Sequence, residues 1–446
     1  MTGLLTAALL AALVFLVSLR RPQWGLLIVA TLVPFHGLLL ILPVTATFWK
    51  EAAVLAVVVG ALLAPRERHR MTVLPWMRPA LVLVAVGTVS ALAVLGTQAA
   101  FPVKIAFFYL LPVAVVYYHP FTRADKDLLV TLLTGVGVVT ALYGLWQQYA
   151  GGWALADMGY EWNEEIRYAG PLLRSFGTFN QPFPFGFFLM LVLVLGFAAA
   201  LAEPGRLRSR LFWWLAPLLL LAMLTTVVRA AVVGLVVALL VLGVVLYRRL
   251  LAVLATLAGV GVLLLPMALV LDRSGALAAL FSSTSLEDRR GHWSDTLPRM
   301  LVQPFGGGLG TTGAAAERLD EWGSPLDLPY QPDNQYLKIG LELGLPGLLL
   351  YAVVVAIAVV VLFRLLRVQT DALEQAVTAA ALALTLAACV AGVFATYLEI
   401  FPLDFYFWFL LAIGASVPRT DTAQVVAWGP VHRASTSSRG QTKVSM

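Results

Sequence analysis

Two adjacent arginines, Arg289 and Arg290, follow Thr284-Ser-Leu-Glu287, whose spacing is that of a helix capping box, and precede Trp293. In a helix begun by that box, Arg289 and Trp293 share a face, while Arg290 points about 100° away. Guanidiniums so placed can grip a phosphate group from two directions, because Arg stays charged and meets phosphate oxygens as a fork. Two further arginines stand in informative places. Arg229 is the only charge in the apolar stretch 211–247, within Thr225-Thr-Val-Val-Arg-Ala-Ala-Val-Val-Gly234, and Arg174 opens Arg174-Ser-Phe-Gly-Thr-Phe-Asn-Gln-Pro182. A carboxylate, Asp333, stands in Pro332-Asp-Asn-Gln-Tyr-Leu-Lys-Ile-Gly-Leu-Glu-Leu-Gly344, where an apolar helix begins. Such a carboxylate can orient or deprotonate a hydroxyl. The set suits attack by a hydroxyl with departure of a phosphorylated group, whose growing negative charge the arginines hold. Arg229, Arg289 and Asp333 are the catalytic candidates, and Arg174 and Arg290 join them in binding. Each also has a plainer use: Arg174 snorkelling to headgroups, Arg229 reaching water at a hairpin tip, Asp333 capping a helix.

The elements that must position these residues are membrane helices. Of 446 residues, 60% are hydrophobic and only 12% charged, against about 25% charged in a soluble domain. Mean hydropathy is +0.88, and no long polar stretch exists outside two loops and a tail. A separate soluble domain of ordinary size is excluded. The single cysteine, Cys389, excludes an intrachain disulfide and a thiolate zinc site. The 30 Lys and Arg give a net charge of +6 but are dispersed between apolar runs, which argues against nucleic acid as a partner.

At roughly 20 apolar residues per crossing, spans are expected near 3–19, 25–43, 49–64, 79–97, 101–118, 128–147, 182–202, 211–228, 230–247, 251–270, 336–363, 377–396 and 400–417. The fold class is therefore all-α and polytopic, with 12 to 13 transmembrane helices forming one domain over residues 1–418. The first span lacks a basic leader and a small-residue cleavage site, so it reads as a retained helix. Arg20, Arg21, Arg66, Arg68, Arg70, Arg123, Lys126, Arg206, Arg208, Arg210, Arg248, Arg249, Arg364 and Arg367 fall in every second loop. The bias of Lys and Arg toward the cytoplasm puts those loops and the C-terminus inside. The tail 419–446 reads as a disordered cytoplasmic segment.

Two long loops, 149–181 and 272–335, then lie outside. The larger holds nine acidic residues and five Arg, against the bias that keeps such charges inside. Pro298 is expected to end or kink its first helix near Thr296. Its Gln303-Pro-Phe-Gly-Gly-Gly-Leu-Gly310 run either turns the chain or offers backbone N–H groups to an anion. Gly340, Gly344 and Gly347 read as close helix packing in the bilayer. No paired Asp motif with the spacing of a divalent-ion site stands in the outer loops, so neither metal nor cofactor is expected.

In order, Arg174 to Pro182, Arg229, Arg289 to Trp293, Pro304 to Gly310 and Asn334 to Gly347 resemble the O-antigen ligase and polymerase family of bacterial envelope polysaccharide synthesis. The resemblance covers roughly residues 170–350. It implies a glycosyltransferase of the inner membrane, with its site on the extracytoplasmic face. The donor would be a glycan on a polyprenyl pyrophosphate carrier, and the acceptor a hydroxyl of lipid A core or of another glycan. Membrane lipids and a chain-length regulator are further expected partners. It adds Asn180, Trp293, Asn334, Tyr336 and Lys338 to the substrate-binding set. Ligases of the family characteristically carry His immediately before the Asn that opens the helix after the large loop. Here Asp333 stands there, and the only His in either long loop is His292. That departure favours polymerase over ligase. Two other classes remain open: a secondary transporter, which would place its charges near the midplane of two related halves, and a non-catalytic scaffold of a cell-wall polymerase complex.

Overall fold

The computed structural model describes residues 2–42, 46–65, 74–169, 172–271, 293–294, 296–321 and 332–416. Every one of the thirteen expected spans falls on helix. The helices are Thr2–Arg20, Pro22–Leu32 continued by His36–Ile41, Trp49–Leu63, Met77–Leu95, Ala100–Phe107 continued by Leu111–Tyr118, and Arg123–Asp157. Then come Pro182–Ala202, Leu207–Thr225, Arg229–Val245, Arg248–Leu271, Gln335–Val368, Ala372–Ala391 and Leu403–Gly414. Among the described residues eight helical stretches are long and apolar enough to cross a membrane. The protein is an all-α polytopic membrane protein. The expected tail, the capping box at Thr284, and Arg289, Arg290 and His292 lie outside the described residues.

Sequence chemistry sorts the helices into inner and outer. Pro182–Ala202 is apolar on every side, as a helix surrounded by others must be, and Phe185, Phe187, Phe188, Leu189 and Val192 are fully buried. Leu403–Gly414 is buried along its whole length and stacks Phe405 on Phe409. By contrast Thr2–Arg20 exposes Leu4, Leu5, Leu9, Leu13 and Leu16 on the surface that lipid would cover.

Hydrogen bonds define two ends of the bundle. At one end Gln23 donates to Pro120 O at 3.2 Å, the His119 ring nitrogen lies 3.0 Å from Ala61 O, and the buried Lys126 ammonium donates to Ser416 O at 3.0 Å. The same end carries an ion network in which Arg123 meets Asp371 at 2.8 Å and Glu203, while Arg208 meets Asp127 at 2.8 Å and Glu203. At the other end Leu38 N donates to Thr178 O (2.9 Å), Ser175 N to Thr225 O (2.9 Å) and Gln335 N to Gly392 O (2.7 Å). Leu309 N donates to Ser90 Oγ at 3.2 Å. The described arginines of alternate loops thus gather at one end, and Arg174, Arg229 and Asp333 at the other.

Two helices break where glycine alone is comfortable. Gly151 (φ 79°, ψ 167°) turns residues 152–157 away from the body of Arg123–Asp157, and Gly344 (φ 66°, ψ −169°) bends Gln335–Val368. A Cβ on Gly344 would lie 2.2 Å from Pro304 O, so this glycine serves a kink into which the large loop is wedged. Gly340 seats against Met300, and the atoms nearest a Cβ on Gly347 would be those of Leu343 on its own helix. Gly340 and Gly344, expected to serve close packing of membrane helices, pack here against the segment that carries Met300 and Pro304. Helical structure also runs through residues 296–302, past the end expected at Thr296. Pro298 removes one backbone donor, and Met300 beyond it is held in the core against Gly340.

Sidedness gives a direct test. With Cys389 replaced by Ala, Glu161→Cys should react with a membrane-impermeant thiol reagent in intact cells, and Gly205→Cys only after permeabilisation. Both positions are exposed and lie at opposite ends. Labelling in the reverse pattern would invert the orientation read from the arginines.

Candidate functional site

The first long loop enters the bundle through Arg174. Its Nε donates to Thr226 O (3.2 Å) and its Nη1 to Ile166 O (3.2 Å), while its own backbone N–H donates to Arg167 O at 2.7 Å. The next residues are clamped from below. Gln147, fully buried, accepts the N–H groups of Phe176 (3.0 Å) and Gly177 (2.9 Å) on Oε1 and donates from Nε2 to Gly177 O at 2.9 Å. Ser175 Oγ donates to Gly144 O at 2.6 Å, and Thr178 Oγ1 to Pro34 O at 2.7 Å. Asn180, one residue beyond Phe179, is exposed at the mouth of Pro182–Ala202. Gln147 carries no sequence signal, since a lone Gln on an apolar helix is usually read as a surface residue.

Thr226 ends the hairpin tip that presents Arg229. Thr226 Oγ1 accepts Val228 N–H at 3.2 Å, and Arg229 is the first, exposed residue of Arg229–Val245. Between them Val227 has φ 54°. For a β-branched residue this is a true backbone outlier and costs on the order of 1–3 kcal/mol. The described residues contain one other non-glycine at positive φ, Asp333 at 41°. Both outliers lie one or two residues before a helix that carries a candidate residue.

At the second helix the capping role falls on Asn334. Its Oδ1 accepts Tyr336 N–H (2.9 Å) and Leu337 N–H (3.1 Å), and its Nδ2 donates to Val393 O at 3.1 Å. Asp333 is consequently not the cap. Half-buried, it makes no hydrogen bond or ion pair to a described residue. Tyr336 donates its hydroxyl to Cys389 O at 2.7 Å. Lys338 is buried and sits between Glu399, at 2.9 Å, and Glu342. Asn334, Tyr336 and Lys338 therefore hold the frame around Asp333. Trp293 has its indole N–H buried without a partner among the described residues.

Glu342 extends that frame to the glycine run. Its carboxylate accepts Gly310 N–H (2.9 Å) and Thr312 N–H (3.4 Å). Gly307 N–H goes to Leu341 O at 2.7 Å, Gly308 N–H to Glu342 O at 2.8 Å and Gly306 N–H to Gln303 O at 2.9 Å. With Leu309 held by Ser90, every N–H from 306 to 310 is taken inside the protein. The run is a docking strap for the helix and offers no anion cradle.

A second polar cluster lies within apolar helices. The His36 ring accepts from Trp49 Nε1 at 3.3 Å on one nitrogen and meets Lys50 Nζ at 3.3 Å on the other, and Lys50 also lies 4.1 Å over the Phe401 ring. Lys104 pairs with Glu51 at 2.8 Å, and Asp404 is buried nearby with its carboxylate accepting Phe405 N–H. Lys50 and Lys104 thus both have partners, Lys104 from a part-exposed position.

The Ala372–Ala391 helix joins the two presentations. It packs along Arg229–Val245, where a Cβ on Gly234 would lie 3.8 Å from Ala387, and the residues just past it hold Asn334 and Gln335. Arg229 and Asp333 therefore flank one helix at the same end of the bundle. Residues 214–352 match the family model of the O-antigen ligases. That stretch begins in the helix before Arg229 and ends past the Gly344 kink, so it contains the tip, the large loop and the Asp333 helix. The chain resembles the O-antigen ligase and polymerase family in the region that holds both strained residues, Val227 and Asp333. Over those residues the chain is similar to the O-antigen ligases, and the remaining helices are those of a multi-pass membrane protein. No curated protein sequence matches the chain.

The buried triad of Lys338, Glu342 and Glu399 predicts a large and specific stability effect. Lys338→Met leaves Glu342 and Glu399 facing each other without their shared cation. The loss should be about 3–5 kcal/mol, read as loss of protein from membranes and a lower melting temperature in detergent. Pairing Lys338→Met with Glu399→Leu should recover part of it, because only the Glu342 carboxylate then lacks a cation and the Gly310 and Thr312 N–H groups still bond it. Unchanged stability in the single variant would show that the triad does not hold this end.

Proposed function

We propose that the protein polymerises glycan from a polyprenyl pyrophosphate donor, in the extracytoplasmic leaflet of the bacterial inner membrane, using Asp333 to activate the acceptor and arginines to hold the donor. The observation that carries the reading is the state of Asp333: a carboxylate relieved of capping by Asn334, held at φ 41° and bonded to no described residue, at the end of the bundle that presents Arg229. A residue that only stabilised the helix would take the cap.

In this reading the acceptor hydroxyl lies against Asp333, which takes its proton as the oxygen attacks the anomeric carbon of the donor sugar. The bond from that carbon to the pyrophosphate oxygen breaks, and the electron pair leaves with the lipid pyrophosphate. Arg229, together with Arg289 and Arg290, meets the growing charge on that leaving group. Arg174 fixes the tip through Thr226 O and stands within reach as a further cation. Asn180 and Trp293 remain substrate-binding candidates; Asn334, Tyr336 and Lys338 act as positioning residues. A chain-length regulator is the expected partner.

The left-handed backbone at 333 also bears on polymerase against ligase. Asn, Asp and His are the non-glycine residues most often found at positive φ, so this position admits the His characteristic of ligases and the Asp found here without changing the fold. The choice of residue then falls on the proton acceptor, and a carboxylate supports transfer to another glycan.

Asp333→Asn suits the same φ and keeps the volume, so folding should be unaffected. Polymer formation should fall by about 10² to 10⁴, the range for a general acid or base. Asp333→His should restore part of the activity, with a pH profile shifted toward neutrality. Full activity in Asp333→Asn, measured as polymer on gels at equal protein level, would remove the residue from the reaction. Separately, Arg229→Ala and Arg289→Ala should each abolish polymer in folded protein, and Lys should rescue poorly because it lacks the fork. Near-normal polymer in either Ala variant would remove that arginine from the donor grip.

A further inference from the structure

Beyond the Gly151 kink the chain builds a second recess from the first long loop. Gly152, Trp153, Ala156, Trp162, Glu164 and Tyr168 line a cleft of about 320 Å³, at the small end of the roughly 300–1,000 Å³ of small-molecule sites. Its floor is Gly152, where a Cβ would meet Tyr168 Oη at 2.4 Å and Trp162 Cζ2 at 2.6 Å. Trp162 and Tyr168 meet edge to face, with centroids 6.0 Å apart at 72°. Trp153 is 88% exposed. The Glu164 carboxylate and the Tyr168 hydroxyl have no partner among the described residues. Three aromatic rings, one acceptor carboxylate and one phenol around a glycine floor are the complement of a sugar, which offers an apolar face of C–H groups and a rim of hydroxyls.

The charges say which part of a glycolipid would bind. Glu164 repels a phosphate, and the cation beside it is turned away. Arg167 is 3% exposed, its guanidinium lies 3.8 Å from the Phe176 ring, and its Nη2 donates to Glu161 O at 2.9 Å. Burial pulls its pKa down to about 10, so it stays a cation at neutral pH. The same carboxylate disfavours an anionic lipid surface as the occupant. The cleft is tied to the candidate site by backbone, since Arg174 donates to Ile166 O and Arg167 O.

We propose that this cleft is a sugar subsite, gripping uncharged residues of the glycan at a distance from the bond being made, and so setting how long the chain is retained between transfers. The inference rests on the glycan-transfer reading and names a recognition surface for it.

The test uses the full-length protein purified in detergent and, as probe, the oligosaccharide released by mild acid from the cell's carrier-linked glycan. Calorimetry should show binding that Trp162→Ala weakens by about tenfold, on the order of one lost ring contact, with a smaller loss in Glu164→Gln, a conservative exposed change that protects the test against misfolding. In membranes supplied with carrier-linked glycan, both variants should make shorter polymer while the rate of the first transfer is unchanged. Wild-type polymer length and unchanged oligosaccharide binding in both variants would overturn the subsite and leave the transfer reading standing. Conversely, a wild-type protein that binds the oligosaccharide but transfers nothing, with binding lost in Trp162→Ala, would support the subsite and sink the polymerase. If Trp153→Ala and Trp162→Ala leave oligosaccharide binding unchanged and only lower the protein's level in membranes, the rings anchor the membrane interface and the proposal fails.

Discussion

An ammonium held between two carboxylates inside an apolar bundle fixes most of what surrounds the candidate site. Lys338 and Glu342 stand one turn apart on the same helix, so their pairing alone would be local. Glu399 makes it tertiary by bringing in the turn that leads to Leu403–Gly414. Glu342 then reaches across to Gly310 and Thr312, and its backbone carbonyl takes Gly308. A buried charge must be satisfied from every side or it is strongly destabilising. Two carboxylates outnumber one ammonium, and the backbone amides of the large loop supply the donors that remain. The loop is thus ordered against the helix by an electrostatic need, in a medium where apolar packing between helices gains little over contact with lipid.

That arrangement explains how a strained residue can persist beside it. Asp333 is followed at once by a helix whose cap, first turn and kink are held by Val393 O, Cys389 O, Gly392 O and Pro304 O. Val227 is similarly hemmed in, by Arg174 on Thr226 O and by the Thr226 hydroxyl on Val228 N–H. Unfavourable backbone survives only where its surroundings over-determine it. In both places hydrogen bonds to neighbouring backbone carbonyls fix the chain on either side of the strained residue.

Much of the fold was legible because lipid imposes a one-dimensional rule: runs of about 20 apolar residues become helices, and charges mark the turns. Arg229 at a tip and a helix start at Asn334 follow from that rule directly. The plainer use of Asp333, capping the helix, falls to Asn334 instead, since both are good caps and only the backbone decides between them. What sequence could not show is pairing over distance. Lys338 reads as a free cation until Glu399, sixty-one residues on, is seen beside it. Gln147 is anonymous until Gly177 is placed against it. The glycine run looks like an anion cradle for the reason that makes it a strap: its N–H groups are accessible, and the partners that take them come from another helix. The kinks at Gly151 and Gly344 were invisible because glycine in a membrane helix has several uses, and the sign of φ separates them.

The position of Arg229 argues for an anionic ligand on grounds of cost. It is the first residue of a helix, where aligned peptide dipoles leave about half a positive charge, and a cation there is disfavoured by a few tenths to about 1 kcal/mol. Two residues earlier Val227 stands at φ 54°, which adds an unfavourable backbone. A tip selected for stability would place Asp or Ser at the helix start and Gly at 227. Both costs change sign in usefulness when a phosphate is present, because the helix N-terminus and the guanidinium then attract the same charge. Asp333 brings the opposite charge to the same setting: a carboxylate just ahead of a helix N-terminus is favoured there. Both helices start at this end, so their two N-termini add positive potential there. In the proposed transfer that potential would meet the departing pyrophosphate at Arg229 and steady the Asp333 carboxylate, so the division of charge lies in the two side chains and not in the helix directions.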